Sequence, residues 1–299
     1  MRISNLLATA ALVILGPVAA HAADADWAPV AAALGKSGSE MPGGIYRVGM
    51  PRTDLQVTLE GVQIKPTLAL GSWVAFERMG GDGMVMGDLV LTETEVAPVM
   101  KKLAESGIEI TALHNHLLRA QPATLYMHVL GHGDPVKLAT ALHDGLALSK
   151  TPLGNPAPAA TAGGAPPALD LDTAMIDRVL GAKGTIAGGV YQVGIPRAEP
   201  IKDGNMNVPI AMGSGEAINF QPTGGGKAAI TGDFVLTAKE VNPVLRALRE
   251  NGIEVTAVHN HMLDDEPRLF FMHFWANDDA AKLAKGLRAA LDKVNIAKS

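Results

Sequence analysis

The chain has 299 residues, enough for two domains of ordinary size, and a formal net charge of -5 with Lys and Arg scattered along it. That distribution leaves no basic stripe able to neutralise a phosphate backbone, which argues against nucleic acid as a partner. It has no cysteine, which excludes disulfides, thiolate metal sites, thiol nucleophiles and lipid attachment at an N-terminal Cys.

Residues 1–22 read as a signal peptide: Arg2 gives a positive start, Leu6 to Val18 is apolar, and Ala20-His21-Ala22 supplies the small residues of a cleavage site. The mature chain is then expected from Ala23, in a periplasm or outside the cell. No later stretch reaches the ~20 apolar residues of a spanning helix.

A first domain is expected over 23–150. An amphipathic helix near Trp27 to Leu34 is stopped by Gly35, and strands follow around Tyr46, Val57 to Ile64, Leu68 to Phe76 and Met84 to Leu91. The turn before the last of these is signalled by Gly80-Gly81-Asp82-Gly83. Thr92 and Glu95 have the spacing of a capping box, and Val96, Val99, Met100 and Leu103 recur at helical period. Gly107 suits a left-handed cap. Strands over Ile108 to Leu113 and Leu125 to Leu130 come next, and Asp134-Pro135 opens a closing helix.

Residues 151–168, rich in Pro, Ala and Gly, read as a linker. Beyond it, 169–299 repeats the first domain. Gly44-Ile45-Tyr46-Arg47-Val48-Gly49 returns as Gly189-Val190-Tyr191-Gln192-Val193-Gly194, Gly87-Asp88 as Gly232-Asp233, and Thr111-Ala112-Leu113-His114-Asn115-His116 as Thr256-Ala257-Val258-His259-Asn260-His261, all offset by 145 residues. The helix start at Thr237 with Glu240, the cap at Gly252, and strands over Ile253 to Val258 and Leu269 to Trp275 are repeated as well. Only Asn205 to Gly226 departs from a constant offset. The expected fold is α+β: two tandem homologous domains, each an antiparallel sheet with packed helices and a ferredoxin-like βαββα arrangement in its C-terminal part, the two packed as a pseudo-dimer.

Six of the nine histidines fall in two matching triads: His114, His116 and His128, then His259, His261 and His273. His-x-His on a strand sends both rings to one face, here as a continuation of the row Ile108, Ile110, Ala112. A hairpin centred near Asp265 and Glu266 brings His273 opposite or diagonal to His259. Three imidazoles and an open position is a donor set for a divalent transition metal, zinc first, with copper in range because Met127, Met262 and Met272 are near in sequence. Glu266 is a candidate fourth ligand, or the base of a metal-dependent hydrolase; its counterpart is Gln121, which favours the second copy as the active one. The competing reading makes the triads structural braces of a non-catalytic envelope binding module, repeated because the domain was duplicated.

His-Asn-His is not the nuclease motif of those letters, which spreads over a ββα element and needs a basic surface. Tyr46 with Arg52 and Tyr191 with Arg197 read as a core tyrosine and a turn arginine more readily than as an anion site, Asp88 and Asp233 as turn residues, and His132 and His143 as unpaired surface residues. The chain contains no Gly-rich phosphate loop, nucleophile elbow or His-Glu-x-x-His helix.

The string His259-Asn260-His261-Met262-Leu263, then Glu266-Pro267, then Met272-His273-Phe274-Trp275 before an Ala/Leu-rich helix, resembles the LppY/LpqO family, whose domain is of unknown function (DUF1259). The resemblance implies two copies of that domain across nearly all of the mature chain and carries no activity. The first copy departs from it at Gln121 and at Val129-Leu130. The family's namesakes look like lipoproteins, whereas no lipid-accepting Cys exists here.

Overall fold

The computed structural model describes residues 26–155 and 169–297. The expected signal peptide and most of the expected linker lie outside them. Each copy is an α+β unit built on a six-stranded antiparallel sheet.

In the first copy the strand order is Ser39–Met41, Ile45–Pro51, Gly71–Met79, Asp82–Thr92, Thr124–Gly133 and Glu109–His114. The helix Glu93–Glu105 carries the chain from the long strand Asp82–Thr92 to the edge strand Glu109–His114. The chain then returns between these two as Thr124–Gly133, antiparallel to both, and closes with the helix Pro135–Leu146. This is the expected split βαββα unit. The second copy repeats it with Lys227–Thr237, Ala238–Glu250, Glu254–His259, Leu269–Asp279 and Ala280–Leu291.

Local chemistry sets the boundaries. Thr92 and Thr237 each form a complete capping box with Glu95 and Glu240, satisfying N–H groups that the first helical turn leaves free. Gly107 and Gly252, at φ 80° and 74°, make the left-handed turn that ends these helices and aims the chain into the histidine-bearing strands. Asp134 caps the closing helix by accepting from the N–H groups of Val136 and Lys137.

Helices cover one face of each sheet. In the first copy Val48, Val74, Phe76, Leu89, Met127 and Val129 meet Val99, Leu103, Leu138 and Leu142 there. The other face is not left to water. Ile45, Met84, Met86 and Leu130 join Ile201, Met212, Met262 and Phe271 of the second copy, and Val57, Ile64, Leu68 and Tyr126 join Val190, Ala229 and Trp275. Coverage on both faces explains why the long strand is buried without interruption from Gly83 to Leu91.

Three sequence expectations need correction. The strand expected over Val57 to Ile64 is a small hairpin of Thr58–Leu59 and Val62–Gln63. The strand assigned to Leu68–Phe76 begins at Gly71, because Pro66–Ala69 is a helical turn opened by its proline. His143 is half-buried, and its Nδ1 lies 3.0 Å from the Leu34 carbonyl, tying the last helix to the first instead of standing free. Arg52 and Arg197 are structural, as expected. Each binds the capping-box carboxylate, Glu95 or Glu240, together with a nearby acid, Asp54 or Glu199, and so has no fork left for an external anion.

Candidate functional site: a histidine cluster between the copies

A β-bulge aims the histidines. Ile110 pairs with Val129 but Ala112 pairs with His128, so Thr111 is the extra residue, and in the second copy Thr256 is inserted in the same way. Residues directly opposite share a face, so Ile110 shares the helix side with Val129, whereas Ala112 and His114 share the other side with His128 and Tyr126. The expected unbroken row from Ile108 to His114 is therefore wrong. One extra residue turns the rings away from the helices and toward the other copy. The hairpin expectation holds: Ala257 pairs with His273 and His259 with Phe271, so His273 is diagonal to His259.

The displaced residues form the link between the copies. Thr111 Oγ1 donates to the His261 carbonyl at 2.5 Å, and Thr256 Oγ1 donates to the His116 carbonyl at 2.6 Å. These bonds are reciprocal under the 145-residue offset. Asn260 Nδ2 also donates to the Thr111 carbonyl at 3.0 Å.

The two triads consequently meet. His114 stacks on His259 with ring centroids 3.4 Å apart, His128 stacks on His261 at 3.6 Å, and His116 lies tilted by 30° against His273 at 3.5 Å. Every one of these close pairs joins the two copies. Within a copy the closest histidine rings are about 5 Å apart, as for His114 with His116 at 4.9 Å and His259 with His273 at 4.7 Å. The second-copy triad His259, His261 and His273 converges as expected, with Asp233, but the two triads are not separate: they pool into one cluster of six rings, flanked by Tyr126 against His116 at 3.4 Å and Phe271 against His261 at 3.5 Å.

Asp88 and Asp233 complete it. They stand in mid-strand directly opposite His128 and His273, not in turns. His273 Nδ1 lies 2.9 Å from the Gly232 carbonyl and 3.0 Å from Asp233 Oδ1. The carbonyl takes the hydrogen bond, and the carboxylate oxygen has no hydrogen-bond partner. The sequence reading missed both acids because Gly-Asp looks like a turn; their recurrence at the same offset as the triads was the available signal.

Donor atoms gather into four overlapping groups, each with its atoms within 4.8 Å of one another: His114, His116, His259 and His273; Asp233, His259, His261 and His273; His114, His128 and His261; and Asp88, His116 and His128. Two of the four mix the copies. Glu266 belongs to none of them. It is exposed on a short strand paired with Lys202, so it sits apart from the cluster and supplies neither a ligand nor a base to it.

Burial governs the electrostatics. It pushes His114 down to about 3 and His259 down to about 4, and holds His116, His128, His261 and His273 well below the usual imidazole range, neighbouring imidazoles adding to the effect on all but His259. The same desolvation pushes Asp233 up to about 8 and Asp88 well above the usual carboxylate range, with Asp233 adding to the effect on Asp88. All six rings are thus neutral at physiological pH. Because a carbonyl only accepts, Nδ1–H of His273 donates to Gly232 and Nδ1–H of His259 to Asn260, which leaves the lone pair on Nε2. Those Nε2 atoms, the Nε2 atoms of His116, His128 and His261, and both ring nitrogens of His114 are buried without a partner. Neutral imidazoles oriented through Nδ1 with free Nε2 lone pairs are what a metal ion needs.

The family of the Domain of Unknown Function (DUF1259) matches residues 28–148 and 174–293, one match to each copy. The chain belongs to the DUF1259 family. Both histidine triads fall inside the matched segments, so the cluster is built from two DUF1259 domains. No curated protein matches the chain. A crystal structure of the trimeric bacterial microcompartment shell protein PduB matches at 12% identity over 86% of this chain and 91% of that one, with a TM-score of 0.20, at which nothing about this DUF1259 protein follows.

Proposed function

We propose that this DUF1259 protein is exported to the periplasm or beyond and binds a divalent transition metal in the six-histidine cluster, the two domains packing around it as a pseudo-dimer. The observation that carries the metal assignment is the set of seven buried ring nitrogens without partners in one place. A brace made only for stability would leave those atoms bonded to carbonyls or hydroxyls, since each orphaned buried polar atom costs about 1–3 kcal/mol. Imidazole donors with two carboxylates suit zinc first. Copper is the second choice, supported by Met86, Met212 and Met262 around His128 and His261. Export rests on the N-terminal sequence alone. The motif string around His259 to Trp275 supports placing the chain in the LppY/LpqO group within the family.

Elemental analysis of untagged protein tests this, with His116→Ala and His261→Ala as paired variants. Stoichiometric metal lost equally from both variants, with the fold intact by circular dichroism, is the expected result. Protein that takes up no zinc or copper at micromolar concentration would overturn it. Loss in His261→Ala alone would return the site to a single domain.

A further inference from the structure

The 145-residue offset relates the pair His116 and His273 to the pair His261 and His128, so the cluster has two equivalent ends. They face different surroundings. His128 and His261 look onto a residual hole of about 10 Å³ walled by Met86, Val129, Met212 and Met262. His116 and His273 open onto a cavity of about 520 Å³, the size of a small-molecule site. The copies differ where this is decided. Met86, against the closed end, corresponds to Thr231 at the open end, and Phe271 on His261 corresponds to Tyr126 on His116.

The cavity also holds a cation without a counter-ion. Arg47 lines it, lies 3.8 Å over the Trp73 ring, and donates through Nη1 to the Ala211 carbonyl. Among the described residues no carboxylate reaches it as an ion pair; Asp88 and Asp233 line the same cavity beside His116 and His273, and Asp88 acts on Arg47 only at longer range. Burial lowers it to about 10, so it stays charged at neutral pH. Arg52 and Arg197, buried elsewhere, each hold two carboxylates. A desolvated guanidinium with its remaining N–H groups free is a fork for a planar oxyanion. Met50, Leu68, Trp73 and Val193 line other parts of the cavity, which favours an organic anion over bare phosphate.

We propose that this cavity binds a small organic carboxylate, anchored by Arg47 and extending to the His116–His273 end of the cluster. Its contact with a metal rests on the metal assignment above, while the Arg47 anchor does not.

Calorimetric titration of the full mature protein with acetate, succinate and benzoate tests the site, with inorganic phosphate and benzamide as comparisons. At least one carboxylate should bind saturably, one per chain, with neither phosphate nor the neutral amide matching it. Arg47→Gln, which installs the residue found at position 192, should weaken binding at least tenfold. Thr231→Met, which installs the residue found at position 86, should abolish it by filling the open end. No binding of any of the three carboxylates at millimolar concentration, phosphate binding more tightly than all of them, or undiminished affinity in a folded Arg47→Gln protein would each overturn the proposal. Metal content measured on the same samples separates the two claims. Protein that holds metal but no carboxylate sinks the anion site alone, and protein that binds carboxylate but never metal sinks the metal assignment alone.

Discussion

Removing metal from the purified protein should destabilise the whole molecule. Seven ring nitrogens of the cluster are buried without partners, and at about 1–3 kcal/mol each their combined cost rivals the ~5–15 kcal/mol that holds an ordinary domain folded. A cation that turns lone pairs among these rings into bonds therefore acts on both copies at once, because two of the donor groups draw rings from both. With free metal at ~1,000 times its dissociation constant, linkage contributes about 4 kcal/mol. At about 2–4 °C per kcal/mol for a chain of this size, the melting temperature should rise by roughly 8–16 °C. The assay is scanning calorimetry on protein as isolated, after dialysis against a chelator, and after zinc is restored, with His114→Ala/His259→Ala as the control that removes the central pair. Superimposable melts in chelator and in zinc would refute the reasoning, as would a full zinc shift surviving in the double variant.

Thr111→Val and Thr256→Val each leave a histidine carbonyl without its donor, so each should cost about 1–3 kcal/mol in urea unfolding; a loss confined to one of the two would contradict their reciprocal roles. Gly232→Ala should prevent normal folding, because its Cβ would run into the Ala217 carbonyl of the neighbouring strand; soluble protein with wild-type circular dichroism and melting would count against the register described. Glu95 supplies a pH signature. Burial alone would raise its pKa, but Arg52 and the N–H groups of Thr92 and Lys150 bring it down to about 2. Being lower in the folded state, it stabilises fully above its ordinary value of 4.5 and loses that contribution as pH falls toward about 2. Glu95→Gln should flatten this acid limb in denaturant midpoints, and an unchanged slope would discount the Arg52–Glu95 pair.

Much of this was readable from local sequence. Capping boxes, glycine caps and the Asp134-Pro135 helix start each depend on residues within one turn, and all appear where the letters put them. The diagonal placement of His273 and His259 follows from one short hairpin. What escaped depends on distant partners. The bulge at Thr111 is one residue of register and has no composition of its own, yet it decides which face carries His114. Asp88 reads as a turn residue until the strand Thr124–Gly133 is laid beside it. Glu266 sat at plausible sequence distance from the triad but points to water, because the short strand that holds it pairs with Lys202. Nothing in either triad announces that each of its rings lies against a histidine of the other copy.

Joining the two copies in one chain has a consequence that two identical chains could not reach. A symmetric dimer of a single domain has an isologous interface, so any residue opening one end of the cluster must open the other. Here the ends differ through Met86 against Thr231 and Phe271 against Tyr126, and the open cavity holds Arg47 beside its counterpart Gln192, while three histidines and one aspartate are kept in each copy. The donor set demands symmetry because rings from both copies must converge; access does not. Covalent linkage separates the two requirements, leaving one end packed with methionine and the other facing a cavity with an unpaired guanidinium. If the asymmetry serves access, then Met86→Thr should open a second entrance at the packed end and speed the exchange of bound metal with a chelator, whereas Thr231→Met should slow it. Equal exchange rates in the two folded variants would mean that the cavity plays no part in reaching the cluster.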